Sequence, residues 1–164
     1  MATITLEGNE IQTNGDLPAV GSTAPDFKLT SKEMEDKTLA DFAGRKKILN
    51  IVVSLDTGIC ETSTKTFNDE AGDTVVVLVI SADLPFAQSR VCEAAGAYRA
   101  ITLSMMRSKS FAKDYGVLIQ DGPLAGLCAR AVVVLDENNK VLYTELVSEI
   151  AQDPDYDKAL AALK

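Results

Sequence analysis

The stretch that decides the fold is KILNIVVSL-DTGIC-ETSTKTF, residues 47–67. Residues 47–55 are almost all apolar and rich in β-branched side chains, which predicts a strand buried on both faces of a sheet. Residues 61–67 predict a helix that follows after a short connection. With Thr57 as its N-cap, the helix has Cys60 at its third position, in the first turn.

The position of Cys60 indicates chemistry. First-turn amides lack intrahelical acceptors and the helix dipole is positive there, so a sulfur is favoured as the thiolate, its nucleophilic form. The Thr57 hydroxyl can cap the helix with a lone pair and orient a polar ligand beside the sulfur with its proton. A lone cysteine is more often a small buried apolar residue, but the strand–turn–helix setting makes a nucleophile an equal alternative for Cys60.

The composition bounds the class of protein. A chain of 164 residues, 46% hydrophobic and 24% charged, fits one globular domain over residues 1–164. The net charge of -8 argues against nucleic-acid binding, since the only basic cluster is residues 45–47. No apolar run approaches the ~20 residues of a membrane span, and residues 1–15 lack the features of a signal peptide. We therefore expect a cytoplasmic protein without membrane contact.

Histidine is absent from the chain, which excludes Ser-His-Asp and Cys-His catalysis and histidine-ligated metals. The three cysteines are Cys60, Cys92 and Cys128, and none forms a Cys-x-x-Cys pair. That spacing disfavours a zinc knuckle and a thioredoxin-type dithiol. In a reducing compartment, a disulfide between any two of them is expected to be transient.

The remaining pattern predicts an α/β protein with a thioredoxin-like fold, in which helices flank a central mixed sheet. An amino-terminal hairpin with a Gly8-Asn9 turn forms an extension over residues 1–15. The elements expected elsewhere are a short strand at 26–30, a helical turn at 39–42, a strand at 75–81 parallel to the first, a helix opened by Pro85 and ended by Gly96, a strand at 100–104, a helix at 107–115, an antiparallel hairpin of 129–135 and 140–147, and a helix from Asp153-Pro154 to the end.

Three segments carry a resemblance to a known family. Residues 54–60, 81–92 and 129–136 resemble the signature segments of the thiol peroxidases, bacterial peroxiredoxins of the atypical two-cysteine kind. The similarity extends from the amino-terminal hairpin to the last helix. The family's Pro-x-x-x-Thr-x-x-Cys pattern has Val53 in place of its proline, and valine keeps the bulk without the backbone restraint.

The resemblance implies a role for each site residue. Cys60 attacks hydrogen peroxide or an organic hydroperoxide, Cys92 resolves the sulfenic acid as an intramolecular disulfide, and Arg130 faces the reactive sulfur. From the residues alone, a buried helix cysteine is the favoured interpretation of Cys92. Arg130 is then an edge charge that reaches solvent or pairs with Glu149 or Asp136. The family also implies thioredoxin as reductant, a homodimer, and no metal, haem or flavin.

Other readings remain open at this stage. Period two places Cys128 on the same strand face as Arg130, although a packing role is the simpler interpretation. Because Cys60 and Cys92 lie on separate helices, joining them requires local unwinding. The alternatives to a peroxidase are a non-catalytic thiol redox sensor or binding module, and a cysteine-dependent transferase, which the missing histidine weakens.

Overall fold

The computed structural model describes residues 1–164. It has nine strands and four α-helices. The strands are β1 (Thr3–Leu6), β2 (Asn9–Gln12), β3 (Leu29–Thr30), β4 (Asp36–Lys37), β5 (Lys46–Ile51), β6 (Val75–Ser81), β7 (Ile101–Ser104), β8 (Ala131–Leu135) and β9 (Val141–Leu146). The helices are α1 (Gly58–Glu70), α2 (Pro85–Ala95), α3 (Ser110–Asp114) and α4 (Tyr156–Ala161), with a 3-10 helix at Leu39–Phe42.

The main sheet has seven strands in the order β4-β3-β7-β6-β5-β8-β9. β5, β6 and β7 run parallel, while β8 and β9 are antiparallel to their neighbours. β5 lies inside this sheet and five of its six residues are buried, because it has strands on both edges and α1 packs against it. The prediction of a thioredoxin-like α/β fold with a mixed sheet is confirmed. No helix is both long and apolar enough to cross a membrane.

The amino-terminal hairpin is confirmed as a separate two-stranded sheet of β1 and β2. Its turn lies one residue earlier than the predicted Gly8-Asn9. Ile4 pairs with Ile11, which buries both side chains in the core. This register leaves Glu7 and Gly8 as the turn, with φ of 50° and 84°. Two left-handed residues are what a tight hairpin turn requires. That residues 1–164 act as one domain with 1–15 as its extension stays a prediction.

Several element ends differ from the sequence prediction. The strand expected at 129–135 begins at Ala131, and the helix expected at 107–115 covers only α3. The last helix begins later than Asp153-Pro154, because the Asp155 side chain accepts a hydrogen bond from the Lys158 amide and so caps it. In contrast, α2 begins at Pro85 and ends at a left-handed Gly96, as predicted.

Candidate active site

Cys60 occupies the third residue of α1, and its N-cap is Thr57 in an extended conformation, as predicted. β5 leads to this point through the loop at 52–56, which delivers the chain from the middle of the sheet to the start of the helix. Cys60 is wholly buried. The sulfur therefore lies in the first helical turn, where unpaired amides create a partial positive charge.

Arg130 contacts the sulfur of Cys60. Its Nη1 donates to Cys60 Sγ over 3.0 Å, and its Nε donates to the carbonyl of Ile150 over 2.8 Å. Only 3% of Arg130 is exposed, and no carboxylate pairs with it. The interpretation as an edge charge paired with Glu149 or Asp136 is therefore wrong. A buried guanidinium without a carboxylate partner leaves its charge available to the sulfur and to any anion that forms beside it.

Thr57 does not cap the helix with its side chain, so this part of the prediction is wrong. The loop folds back far enough that the Thr57 hydroxyl donates to the Ser54 carbonyl over 2.9 Å, and no helix amide donates to the hydroxyl. The hydroxyl proton thus has a protein acceptor, which stabilises the turn between β5 and α1. Thr57 itself is exposed.

Asp83 holds the loop that enters α1, and sequence reasoning missed this role. Its carboxylate accepts from the Ser54 hydroxyl, the Leu55 amide and the Ser81 hydroxyl, each over 2.7 Å. Asp83 follows β6 and lies two residues before α2 begins at Pro85. One carboxylate therefore ties together the segments that lead into the two cysteine-bearing helices. The signal in the sequence is an acidic residue, Asp83, two positions after the end of the apolar strand β6.

A buried polar cluster fixes the backbone behind Cys60. The Cys60 carbonyl accepts from the hydroxyls of Ser63 (3.0 Å) and Thr64 (2.9 Å). Asn50 on β5 donates its amide to Ser63 over 3.2 Å and so joins the helix to the central strand. Its own Oδ1 has no hydrogen-bond partner in the protein. The signal for this cluster was the single amide side chain within the apolar run of β5.

Cys92 lies in the C-terminal half of α2, which packs against α1. It is 7% exposed, and burial raises the pKa of its thiol to about 11. All three cysteines are free thiols, so no disulfide joins Cys92 to Cys60. Cys92 also lines a cavity of about 610 Å³, to which Cys60 does not contribute. The structure thus places the two thiols on neighbouring helices and in different surroundings.

Cys128 is a packing residue in this structure. It is wholly buried, and its Sγ lies 3.6 Å from the sulfur of Met105, the residue that follows β7. Burial, assisted by the negative charge of Asp83, raises the pKa of Cys128 to about 12. Its thiol therefore stays protonated at neutral pH and is sealed from solvent.

Tyr156, the first residue of α4, is a further neighbour of the site that the sequence did not reveal. Its ring packs edge to face on Phe67 of α1 at 5.3 Å, and its hydroxyl donates to Asp153 over 3.2 Å. Burial raises the pKa of the phenol most, Asp153 raises it further, and the nearby charge of Arg130 opposes the shift. α4 thus covers the part of α1 beyond the reactive turn.

The structure contains no cluster of three or more Cys, Asp or Glu side chains that could hold a metal ion. The chemistry available at this site is that of one buried sulfur, a guanidinium 3.0 Å from it and the amides of a helix start. Such groups can stabilise negative charge on the sulfur and on an oxygen beside it. A thiolate in this setting attacks an electrophilic atom, and the resulting anion meets fixed donors.

Comparisons with known proteins agree with this chemistry. The Redoxin family model matches residues 19–160. A thiol peroxidase of Mycobacterium bovis is 52% identical over 164 residues, which cover 99% of each chain. A crystal structure of a peroxiredoxin-like protein from Aquifex aeolicus has a TM-score of 0.88 and 38% identity, covering 98% of this chain and 95% of that one. A thiol peroxidase from Chromobacterium violaceum has a TM-score of 0.89 and 25% identity, covering 98% and 94%. The chain therefore belongs to the Redoxin family and, within it, to the thiol peroxidases.

Proposed function

We propose that the chain reduces hydrogen peroxide and organic hydroperoxides, with Cys60 as the attacking thiolate. The observation that carries this proposal is the 3.0 Å contact between Arg130 Nη1 and Cys60 Sγ in the first turn of α1. The 52% identity to a thiol peroxidase supports it. The chemistry needs no histidine, which suits a chain that has none.

In the first step, the Cys60 thiolate attacks one peroxide oxygen. A sulfur–oxygen bond forms and the O–O bond breaks, so the peroxide is reduced and Cys60 is oxidised to a sulfenic acid. The leaving oxygen takes a proton and departs as water or an alcohol. Arg130 supplies donors to the oxygen on which charge develops, and such a donor is typically worth about 10² to 10³ in rate.

In the second step, the Cys92 thiol condenses with the sulfenic acid. A disulfide forms and water leaves, so no further oxidant is needed. Cys60 is wholly buried on α1 and Cys92 lies on α2, and we propose that one or both helices unwind locally to join the sulfurs. Two thiols of thioredoxin then reduce the disulfide and return Cys60 and Cys92 to their starting state.

We further propose a homodimer that works in the cytoplasm as one domain of residues 1–164. Leu84 and Phe86, at the start of α2, are 54% and 68% exposed, and large exposed apolar side chains support an interface there. A reducing compartment suits a disulfide that must be reopened in every cycle. Size-exclusion chromatography with light scattering tests the dimer, and Phe86→Glu is expected to favour the monomer.

Stopped-flow consumption of cumene hydroperoxide in the presence of thioredoxin tests the reaction. Wild-type protein is expected to turn over many times, and Cys60→Ser to have no activity. Cys128→Ser is the matched control, since that thiol is sealed and far from ionising at neutral pH. A single stoichiometric oxidation without turnover would contradict the peroxidase and favour a redox sensor. Mass spectrometry after one equivalent of peroxide is expected to show a Cys60–Cys92 link.

A further inference from the structure

The amino-terminal hairpin and the reactive sulfur are connected through one residue, Ile150. The Ile150 amide donates to the carbonyl of Thr5 on β1 over 2.9 Å. Its carbonyl accepts from Nε of Arg130 over 2.8 Å, and Nη1 of the same guanidinium contacts Cys60 Sγ. A displacement of the Ile150 backbone therefore also moves the acceptor of the Arg130 guanidinium.

These two contacts fix the orientation of Arg130. Within the protein, the guanidinium donates only to the Ile150 carbonyl and to Cys60 Sγ, and no carboxylate holds it from another side. A planar fork that is held by one rigid acceptor points its remaining donors in a defined direction. The direction of the Ile150 carbonyl thus sets the direction in which Arg130 reaches the sulfur.

Glu149 fastens the Ile150 segment to the hairpin. One carboxylate oxygen accepts from the Thr5 hydroxyl (3.1 Å) and the Gly8 amide (2.9 Å), and the other accepts from the Ala151 amide (2.8 Å). Thr5 also forms a parallel bridge with Glu149 through the backbone. The amides of Ala151 and Gly8 hold the pKa of Glu149 below its ordinary value, so it is ionised at neutral pH. The carboxylate therefore joins the hairpin to the residue that follows Ile150.

We propose that Glu149 is a positioning residue for the peroxidase reaction: it clamps the hairpin onto residues 148–151 and thereby fixes the Ile150 carbonyl that aims Arg130 at Cys60. This inference rests on the proposed function of Cys60. The hairpin is also held by Ile4 and Ile11, which are buried in the core. Loss of the carboxylate therefore loosens the peptide that holds Arg130 without releasing the hairpin.

The test measures the rate constant for the first oxidation of Cys60 by hydrogen peroxide in the full chain. Glu149→Ala is expected to lower it by about tenfold, since a small misplacement of a catalytic group is enough for such a loss. Glu149→Gln keeps an acceptor for Thr5 and Gly8, and is expected to fall between Glu149→Ala and the wild type. Glu10→Gln is the matched control, because this exposed carboxylate of the same hairpin has no hydrogen-bond partner.

A double-mutant cycle separates positioning from a loss of stability. In an Arg130→Met background, Glu149→Ala is expected to have no further effect, because the clamp acts only through the guanidinium. An equal loss in both backgrounds, or a wild-type rate for Glu149→Ala, overturns the proposal. Should Glu149→Ala not fold, Thr5→Val removes one arm of the clamp and takes its place in the cycle.

Hydrogen exchange at the Ile150 amide gives a readout that does not depend on activity. Glu149→Ala is expected to speed exchange there, whereas Glu10→Gln is expected to leave it unchanged. Unchanged exchange in Glu149→Ala overturns the clamp even if the peroxidase is active. Conversely, a wild-type protein that fails to reduce peroxide refutes the proposed function, while faster exchange in Glu149→Ala would still show the hairpin contact.

Discussion

The two cysteines of the proposed reaction lie on neighbouring helices but near opposite ends of them. Cys60 is in the first turn of α1 and accepts from Arg130 at 3.0 Å. Cys92 is near the end of α2, where its carbonyl accepts from the Ala97 amide, and no hydrogen bond is made to its sulfur. Both residues are buried. Burial alone therefore does not distinguish them, whereas the surrounding charge does.

This difference assigns the order of events. A helix start and a guanidinium favour negative charge on Cys60, while the C-terminal end of a helix disfavours it on Cys92. The pKa of Cys92, raised to about 11 by burial, keeps its thiol protonated at neutral pH. We therefore propose that Cys60 is the sulfur that meets peroxide first. On this proposal, Cys92 becomes reactive only after α2 has moved it out of its present surroundings.

Among variants that keep Cys60, the largest expected effect comes from Cys92→Ser. Without the second thiol, one oxidation of Cys60 proceeds but thioredoxin cannot recycle the enzyme through a disulfide. Rapid-quench analysis is expected to show one equivalent of peroxide consumed at the wild-type rate, followed by no steady-state turnover. Normal cycling in this variant would show that another residue resolves the sulfenic acid.

Removal of the guanidinium is expected to have the next largest effect. Arg130→Met lowers the rate constant of the first oxidation by about 10² to 10³, the typical loss for one donor to a developing anion. Arg130→Lys keeps the charge but not the planar fork, and is expected to recover only part of the rate. Stopped-flow fluorescence with hydrogen peroxide measures both variants. Arg45→Met, at an exposed site, is the control. An equal loss of rate in Arg45→Met would show that the effect is not specific to the guanidinium beside Cys60.

The raised pKa of Cys92 predicts an alkaline loss of stability. Burial raises the pKa of the Cys92 thiol from its ordinary value of 9.0 to about 11, so between these pH values the folded state keeps a proton that the unfolded state has lost. The stabilisation is therefore complete below pH 9.0 and is lost as the pH rises to about 11. Because solvent partly screens this thiol, the contribution over that window is at most about 3 kcal/mol. Urea unfolding at several pH values is expected to show a smaller alkaline loss for Cys92→Ala. Ser89→Ala, on the same helix, should follow the wild type, and identical pH slopes for both variants would contradict the assignment.

The smallest effect is expected at Val53, where the family pattern has proline. The Val53 amide donates no backbone hydrogen bond, whereas the Val52 amide donates to Ile80 over 3.0 Å. Val53→Pro is therefore expected to change the free energy of unfolding by less than about 1 kcal/mol. Val52→Pro, which removes that bond, is expected to cost about 3 kcal/mol. Equal losses in urea unfolding would show that Val53 has a backbone conformation unsuited to proline.

Much of the fold could be predicted because its signals are local. The apolar run of β5, the helix after Thr57, and the Pro85 and Gly96 boundaries of α2 depend on neighbours in sequence. The hairpin turn was misplaced by one residue because the register depends on which side chains meet the core. Ile4 opposite Ile11 decided that register.

The site was predicted less completely because its contacts join distant parts of the chain. The contact of Arg130 with Cys60 came from the family resemblance, and the structure supplied the distance. Asp83 and the Ile150 carbonyl were missed. The sequence does not indicate which distant group a carboxylate or a backbone oxygen will bind. The Thr57 hydroxyl was assigned as a cap from helix-capping preference, but in the structure it donates to the Ser54 carbonyl and accepts from no helix amide.

The buried contact between Cys128 and Met105 has a consequence for oxidative damage to the protein. Cys128 is buried like Cys60, but burial raises the pKa of its thiol to about 12 and no cation contacts it, so it stays in the protonated form that reacts poorly with peroxide. Irreversible overoxidation to sulfinic acid is therefore expected to accumulate on Cys60 and to spare Cys128. Such damage is expected to stop turnover while the packing of Cys128 on Met105 stays intact.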